Sequence, residues 1–400
     1  MRELLLRHRA DRYPEEHATL QFHLGATLLE CDRVPAALQA LRTCAELFEQ
    51  QGRELEQAKA HNLLGATRLH LDDVDGAAEE LRLAAGTFER LGQPLEQAAT
   101  RFNLGLVLRR RGEAEPAMGC FAEALTTFEQ AGALPQASAA ARELGGSQLE
   151  LDDPGAAAQS LEHGLELAKA TGERVHVGAV ANLLGLARLG TEEPVAAEEA
   201  LRLAASAHPR QLDPEQHAMV TANLALAHER LGAVSRARLA AWRALQIPNA
   251  APAVCAQARA VLDRLGPPTR DLIEVLDQHG SSEDWTEEVG PSLTALLDAA
   301  EHERQRLLGH WIDGQLASPL DGTEVGATLC AVLLELPGEQ MTVLVRSLLT
   351  ALQDREPEVA DGFRRQMQRA MARFHLPQWQ RLQTIFERLA REVGDPGGWS

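Results

Sequence analysis

The chain repeats itself every forty residues. A Leu-Gly pair stands at Leu24-Gly25, Leu64-Gly65, Leu104-Gly105, Leu144-Gly145 and Leu184-Gly185, and Leu224-Ala225 holds the sixth position. A fixed period in this range belongs to a solenoid of stacked units, because one unit cannot bury its apolar face alone.

Other positions keep the same step. A small residue recurs at Ala37, Ala77, Ala117, Ala157, Ala197 and Ala237. A large apolar one follows at Leu41, Leu81, Phe121, Leu161 and Leu201, weakening to Ala241. Cys44, Ala84, Ala124, Gly164, Ala204 and Ala244 are small again, and Gly52, Gly92, Gly132 and Gly172 close four units. Small residues suit close helix approach, large ones fill the remaining gap, and glycine caps a helix end.

These residues, in register in six copies over 15–248, resemble the tetratricopeptide repeat family, in the long-repeat form of kinesin light chains and bacterial peptide-sensing regulators. The family's aromatics and terminal proline are mostly missing, and forty exceeds the usual period. The resemblance implies antiparallel helix pairs stacked into a right-handed superhelix with a concave peptide groove. The expected fold is all-α: six tetratricopeptide-like helical hairpins, then a C-terminal helical bundle for which no family resemblance is evident.

Composition narrows the function. The chain has 400 residues with 45% hydrophobics, enough for two or three domains and a sizeable core. The formal charge of −19 disfavours nucleic acid and anionic membrane as partners. No apolar run of about eighteen residues exists, so no membrane span is expected, and the N-terminal apolar run is too short for a signal peptide. The five cysteines are scattered, which suits thiols in a reducing cytoplasm.

Along the chain, residues 1–14 read as a partial leading repeat helix and 249–280 as capping helices. Residues 281–290 read as a polar linker and 291–400 as the C-terminal domain. There a long helix is expected over 291–315, then helices near 323–336, 338–353, 357–374 and 377–393. The tail Gly394 to Gly398 is expected to fray.

Candidate chemistry lies first in the groove. On each first helix, positions such as 59, 62, 66 and 69 share one face. By the resemblance that face is concave. It carries Lys59, Asn62, Phe102, Asn103, Arg109, Arg110, Arg142, Asn182 and Asn223. Asparagine can both donate to and accept from a peptide backbone, so the four form a ladder along an extended ligand. The alternative is a solvated polar face or helix–helix hydrogen bonding. Arg101, Arg109, Arg110, Arg111 and Arg142 make the centre locally basic, which suits an acidic partner segment. Arg109-Arg110-Arg111 equally suits a helix C-terminus answering its dipole.

In the bundle, Phe363, Met367, Met371 and Phe374 share a face of a basic helix, either as core or as a partner site. Trp285, Trp311 and Trp379 with His310 and His375 either line a pocket or anchor the core. Neither a metal-ligand spacing nor a catalytic motif is evident, and no cofactor is expected. The chain is expected to be a protein- or peptide-binding adaptor rather than an enzyme. Two alternatives stay open: a regulator whose groove senses a ligand and repositions the bundle, and an enzyme or enzyme partner with a pocket in 286–400.

Overall fold

The computed structural model describes residues 4, 8–278, 282–395 and 399, and these are all-α, with no strand among them. The chain divides into two compact units, Met1–Glu193 and Pro194–Ser400, each described by itself. Of the expected leading helix over 1–14, residues 1–3 and 5–7 lie outside the described residues; residues 8–13 correct the expectation, since they are bend and turn rather than helix and Pro14 already opens the first repeat helix.

The first unit holds α1 (Pro14–Glu30), α2 (Val34–Gln50), α3 (Glu54–His70), α4 (Val74–Leu91), α5 (Pro94–Arg110), α6 (Ala114–Gln130), α7 (Leu134–Glu150), α8 (Pro154–Thr171) and α9 (Arg174–Gly190). Their ends share one device. Asp32, Gly52, Asp72, Gly92, Gly112, Gly132, Asp152, Gly172 and Glu192 fall every twentieth residue, with φ between 55° and 78°. At Asp72 the amide reaches back to the Leu69 carbonyl at 3.1 Å, and the next amide, of Asp73, to that of Arg68 at 3.0 Å. This double closure needs a left-handed residue, which glycine adopts freely and aspartate at small penalty. Asp73 then opens α4, its carboxylate accepting from the Gly76 amide at 3.0 Å. One short turn therefore ends one helix and starts the next, which keeps helix length constant and holds the period.

Each hairpin closes on its repeated pair. Gly25 lies against Leu41, Gly65 against Leu81, Gly105 against Phe121 and Gly145 against Leu161. A Cβ on Gly105 would sit 2.6 Å from Phe121 Cε1, so a methyl there displaces the ring. Leu41, Leu81, Phe121 and Leu161 are fully buried. Ala37, Ala77, Ala117 and Ala157 are fully buried beside them, where the backbones run closest. A second register emerges at Phe48, Phe88 and Phe128, all buried. The register closes α2, α4 and α6 with an aromatic ring, and the fully buried Ala168 takes the same place in α8.

The second unit begins with α10 (Pro194–Ala207), α11 (Pro214–Arg230), α12 (Val234–Leu245), α13 (Pro252–Leu265) and α14 (Asp271–Asp277). Position 212 carries leucine, not glycine, and the turn before α11 closes differently. There Asp213 bonds the His208 ring at 2.8 Å and caps α11 through the Gln216 amide. In the sixth hairpin Ala225 and Ala241 replace glycine and leucine, and both are fully buried. The register places them opposite each other, so a larger residue on one helix is matched by a smaller one on the other.

Then come α15 (Trp285–Ala295), α16 (Glu301–Ala317), α17 (Gly322–Glu335), α18 (Gly338–Gln353), α19 (Pro357–Met371) and α20 (Leu376–Val393). Three expectations are corrected here. Of the linker over 281–290, Ser281 lies outside the described residues, as does Gly280 before it. Residues 285–290 are helical because Trp285 and Val289 enter the core. The long helix over 291–315 is two helices, with Pro291 inside the first. Proline signalled a start, but burial of the residues before it outweighs the lost hydrogen bond. The tail is docked at Asp395 and Trp399, although Pro396 to Gly398 lie outside the described residues. Trp399 stacks on Phe386 with centroids 4.8 Å apart and donates to Asp395 at 2.9 Å.

The expected boundary near 280 does not separate two cores. One apolar cluster takes in Leu239 and Trp242 of α12, Leu272 and Leu276 of α14, and the interior of α15 to α20. Trp242 also donates to Glu303 at 2.9 Å.

Gly105→Ala tests the close approach. In an exposed helix this change stabilises by about 1 kcal/mol through propensity. Here we expect destabilisation of about 1–3 kcal/mol from overpacking against Phe121, read by urea denaturation, and a smaller loss for the same change made in a Phe121→Ala background, where the crowding side chain is gone.

Candidate binding surface

In the first unit, α1, α3, α5, α7 and α9 touch one another in succession, and the second helices make no comparable contacts among themselves. Helices that approach on one side and spread on the other make a curved array, with the touching set inside the curve. The candidate groove is therefore the face of α3, α5 and α7.

Its polar residues cross from helix to helix. Lys59 on α3 meets Glu96 on α5 at 3.3 Å. Asn103 on α5 donates to the Asn62 side chain on α3 at 3.0 Å. Glu143 on α7, almost wholly buried, takes Arg109 from α5 and its own neighbour Arg142, the latter at 2.5 Å. Arg110 pairs with Asp72 at 3.0 Å, Arg111 with Asp75 at 2.5 Å and Arg101 with Glu123 at 2.5 Å. Paired charge between packed helices fixes their spacing more than it adds stability.

The nine residues expected in the groove thus separate. Lys59, Asn62, Asn103 and Arg109 form rungs between first helices, and Arg142 braces Glu143 within α7; all five are half-buried with one edge open. Arg110 is exposed at the end of α5. Phe102 turns toward the core, 5.6 Å from the Phe121 ring and packed near Phe128. Asn182 and, in the second unit, Asn223 are only 4% exposed. Asn223 accepts from Gln257 on α13 at 2.8 Å. The asparagines joined in this way are helix–helix hydrogen bonds, the alternative the sequence left open. Their partners on neighbouring helices lie dozens of residues away in sequence, so spacing alone does not reveal them.

Residues expected around a pocket in the bundle do not converge. Trp285 and Trp311 are buried anchors, and Trp311 donates to Gln315 at 3.0 Å. His375 is exposed, and His310 bonds the Thr269 carbonyl at 2.9 Å. Phe363, Met367 and Met371 are core, and Arg364 on the same helix is held by Asp361 and Asp395. No group of three or more metal-ligating side chains lies among the described residues.

A cleft of about 570 Å³ does open in the second unit. Its walls come from the turn before α11, from α11, α12, α15 and α17, and include Arg210, His217, Arg243, Glu287 and Glu335. Burial pulls Arg243 down to about 10, an effect Arg210 and Arg202 strengthen and Glu288 opposes. Burial also lowers His217, whose Nδ1 lies 2.9 Å from the His208 carbonyl. His228 falls to about 3, through burial and then the charges of Arg243, Arg236 and Arg202. No motif in the sequence marks this cleft, because its residues come from five separate segments.

The architecture defines an all-α protein built on tetratricopeptide-like helical hairpins. No protein family and no curated protein matches the chain in sequence. Among solved structures it is similar to a signal-transduction ATPase with numerous domains, carrying a tetratricopeptide repeat sensor, from Pyrococcus horikoshii. The TM-score is 0.55 at 13% identity, over 64% of this chain and 40% of that one. It is also similar to PilF of Pseudomonas aeruginosa, with TM-score 0.49 at 19% identity over 63% of this chain and 99% of that one. The apo form of RapI gives 0.47 at 12% identity over 95% and 99%. The first of these is a likeness of fold. No helix among the described residues is long and apolar enough to cross a membrane.

Glu143→Gln tests the central rung. It removes the counter-charge of Arg142 and leaves Arg109 only its longer pairing with Glu150 at 3.9 Å, and we expect a loss of about 1–3 kcal/mol of stability, read by chemical denaturation. Unchanged stability would mean that the rung does not join α5 to α7.

Proposed function

We propose that the protein is a non-catalytic scaffold that holds an extended segment of another protein on the concave face of α3, α5 and α7. One observation carries this reading: the first helices stand side by side, and polar rungs lock their spacing. A face fixed in this way presents half-open amide and charged groups at helix-to-helix intervals. A partner backbone can bond to it without the face first having to order, which keeps the entropic penalty of binding small. Asn62 and Asn103 retain donor and acceptor capacity beyond their mutual bond. The net charge of −19 argues against nucleic acid in that role.

The acidic partner segment expected from the arginines has weaker support. Arg101, Arg109, Arg110, Arg111 and Arg142 each already meet a carboxylate. Recognition therefore rests on backbone bonding and shape, with charge exchange at Glu143 as a secondary contribution. The ligand-gated regulator is a second reading, favoured by the charged cleft in the second unit. The groove makes no demand for a cofactor.

The test uses a photo-crosslinking amino acid in the full-length chain, placed at position 142 or at position 83. Leu83 is exposed on a second helix. In lysate of the source cells, position 142 should capture a discrete partner and position 83 should not. Asn103→Ala should then weaken that partner by about 1–3 kcal/mol, measured calorimetrically. Capture from position 83 alone would place the binding face elsewhere.

A further inference from the structure

We infer that the cleft in the second unit binds a small organic monoanion, its carboxylate held by Arg243 and its apolar body against α15 and α17. The first observation is the disparity among the arginines around it. Arg210 pairs with Asp298, Arg202 with Glu198 at 2.8 Å, Arg236 with Glu288 at 2.8 Å and Arg238 with Asp271 at 3.3 Å. The Arg243 guanidinium has no carboxylate within ion-pairing distance among the described residues, Glu288 acting on it only from farther off, and its Nε is buried without an acceptor. A guanidinium taken from water and left unpaired is unfavourable, and the fold has carboxylates close by that serve its neighbours instead. An unpaired cation at the wall of a cleft is complete only when an anion enters.

The second observation is the shape and chemistry of the walls. A volume of about 570 Å³ suits a small molecule or the end of a short peptide. Ile247, Pro291, Ala295 and Val332 form an apolar side. Glu287 and Glu335 also line the space and repel a second negative charge. Phosphate esters are therefore disfavoured, whereas a single carboxylate on an apolar body complements Arg243 and the apolar side and brings the least charge against the two glutamates. A planar guanidinium binds a carboxylate through two parallel hydrogen bonds.

The carboxylate has two sources, a free acid or the C-terminus of a short peptide, and two arms separate them. Full-length protein is titrated with 4-methylpentanoate against 4-methylpentanamide. A tripeptide ending in leucine is titrated with a free C-terminus against its amide, and inorganic phosphate serves as the control. The carboxylate of at least one pair should bind at least tenfold tighter than its amide and raise the melting temperature, with phosphate inert. Arg243→Met keeps the apolar stem. It should weaken that binding at least tenfold while leaving the melting temperature unchanged or higher, since it removes an unpaired charge.

Gly290→Leu gives a second route. A Cβ there meets only Val332, at 3.7 Å, so the side chain fills the cleft without disturbing the helix. It should weaken binding to the same extent. Equal binding of acid and amide in both arms, no binding by any probe, or wild-type binding in both variants overturns the inference. So does a marked fall in melting temperature for Arg243→Met, which would make the arginine structural.

Discussion

The close contact between a glycine on one helix and a large apolar side chain on the next is what the repeats depend on. Where Gly25, Gly65, Gly105 and Gly145 lack a side chain, Leu41, Leu81, Phe121 and Leu161 take up the room. Dispersion between close-packed atoms and apolar burial then act at one point per hairpin. The fully buried alanines beside each contact, such as Ala77 and Ala117, keep the backbones near enough for it to form. Period follows from the turns and cohesion from these contacts. Neither works without the other, since a helix one residue longer would carry its glycine off the facing leucine.

The polar rungs follow from the same spacing. First helices packed close bring Asn62 to Asn103 and Arg109 to Glu143, so these groups satisfy one another on their inner edge. The groove inherits its rigidity from that satisfaction. It also loses its apparent basicity, because each arginine counted as a free cation meets a carboxylate, brought from another turn or helix for all but Arg142, which pairs with its neighbour Glu143.

The sequence showed the repeat, the hairpins and most of the helix ends, because those depend on local residues and a fixed step. It placed α17 to α20 within a few residues from Pro337, Pro357 and Pro377. It failed at Pro291, where a local start signal lost to the burial of Trp285 and Val289, and at Leu239 and Trp242, whose partners lie far along the chain. The groove was legible as a face but not as a network: Asn103 shows its position in the sequence, not its bond to Asn62. The Arg243 cleft left no trace, since lack of a partner is a property of the folded neighbourhood.

The central claim is that a matched pair across each hairpin, not either residue alone, holds the fold. The sixth hairpin tests it most directly, because Ala225 and Ala241 stand where glycine and leucine stand elsewhere. A double-mutant cycle compares Ala225→Gly, Ala241→Leu and the two together by equilibrium denaturation. Each single change should destabilise, one by loosening and one by overpacking. The pair should recover more than about 1 kcal/mol relative to their sum, as contacting residues do. Additive losses would contradict the claim, showing that the two positions do not meet and that the repeated pair is a coincidence of two separate patterns.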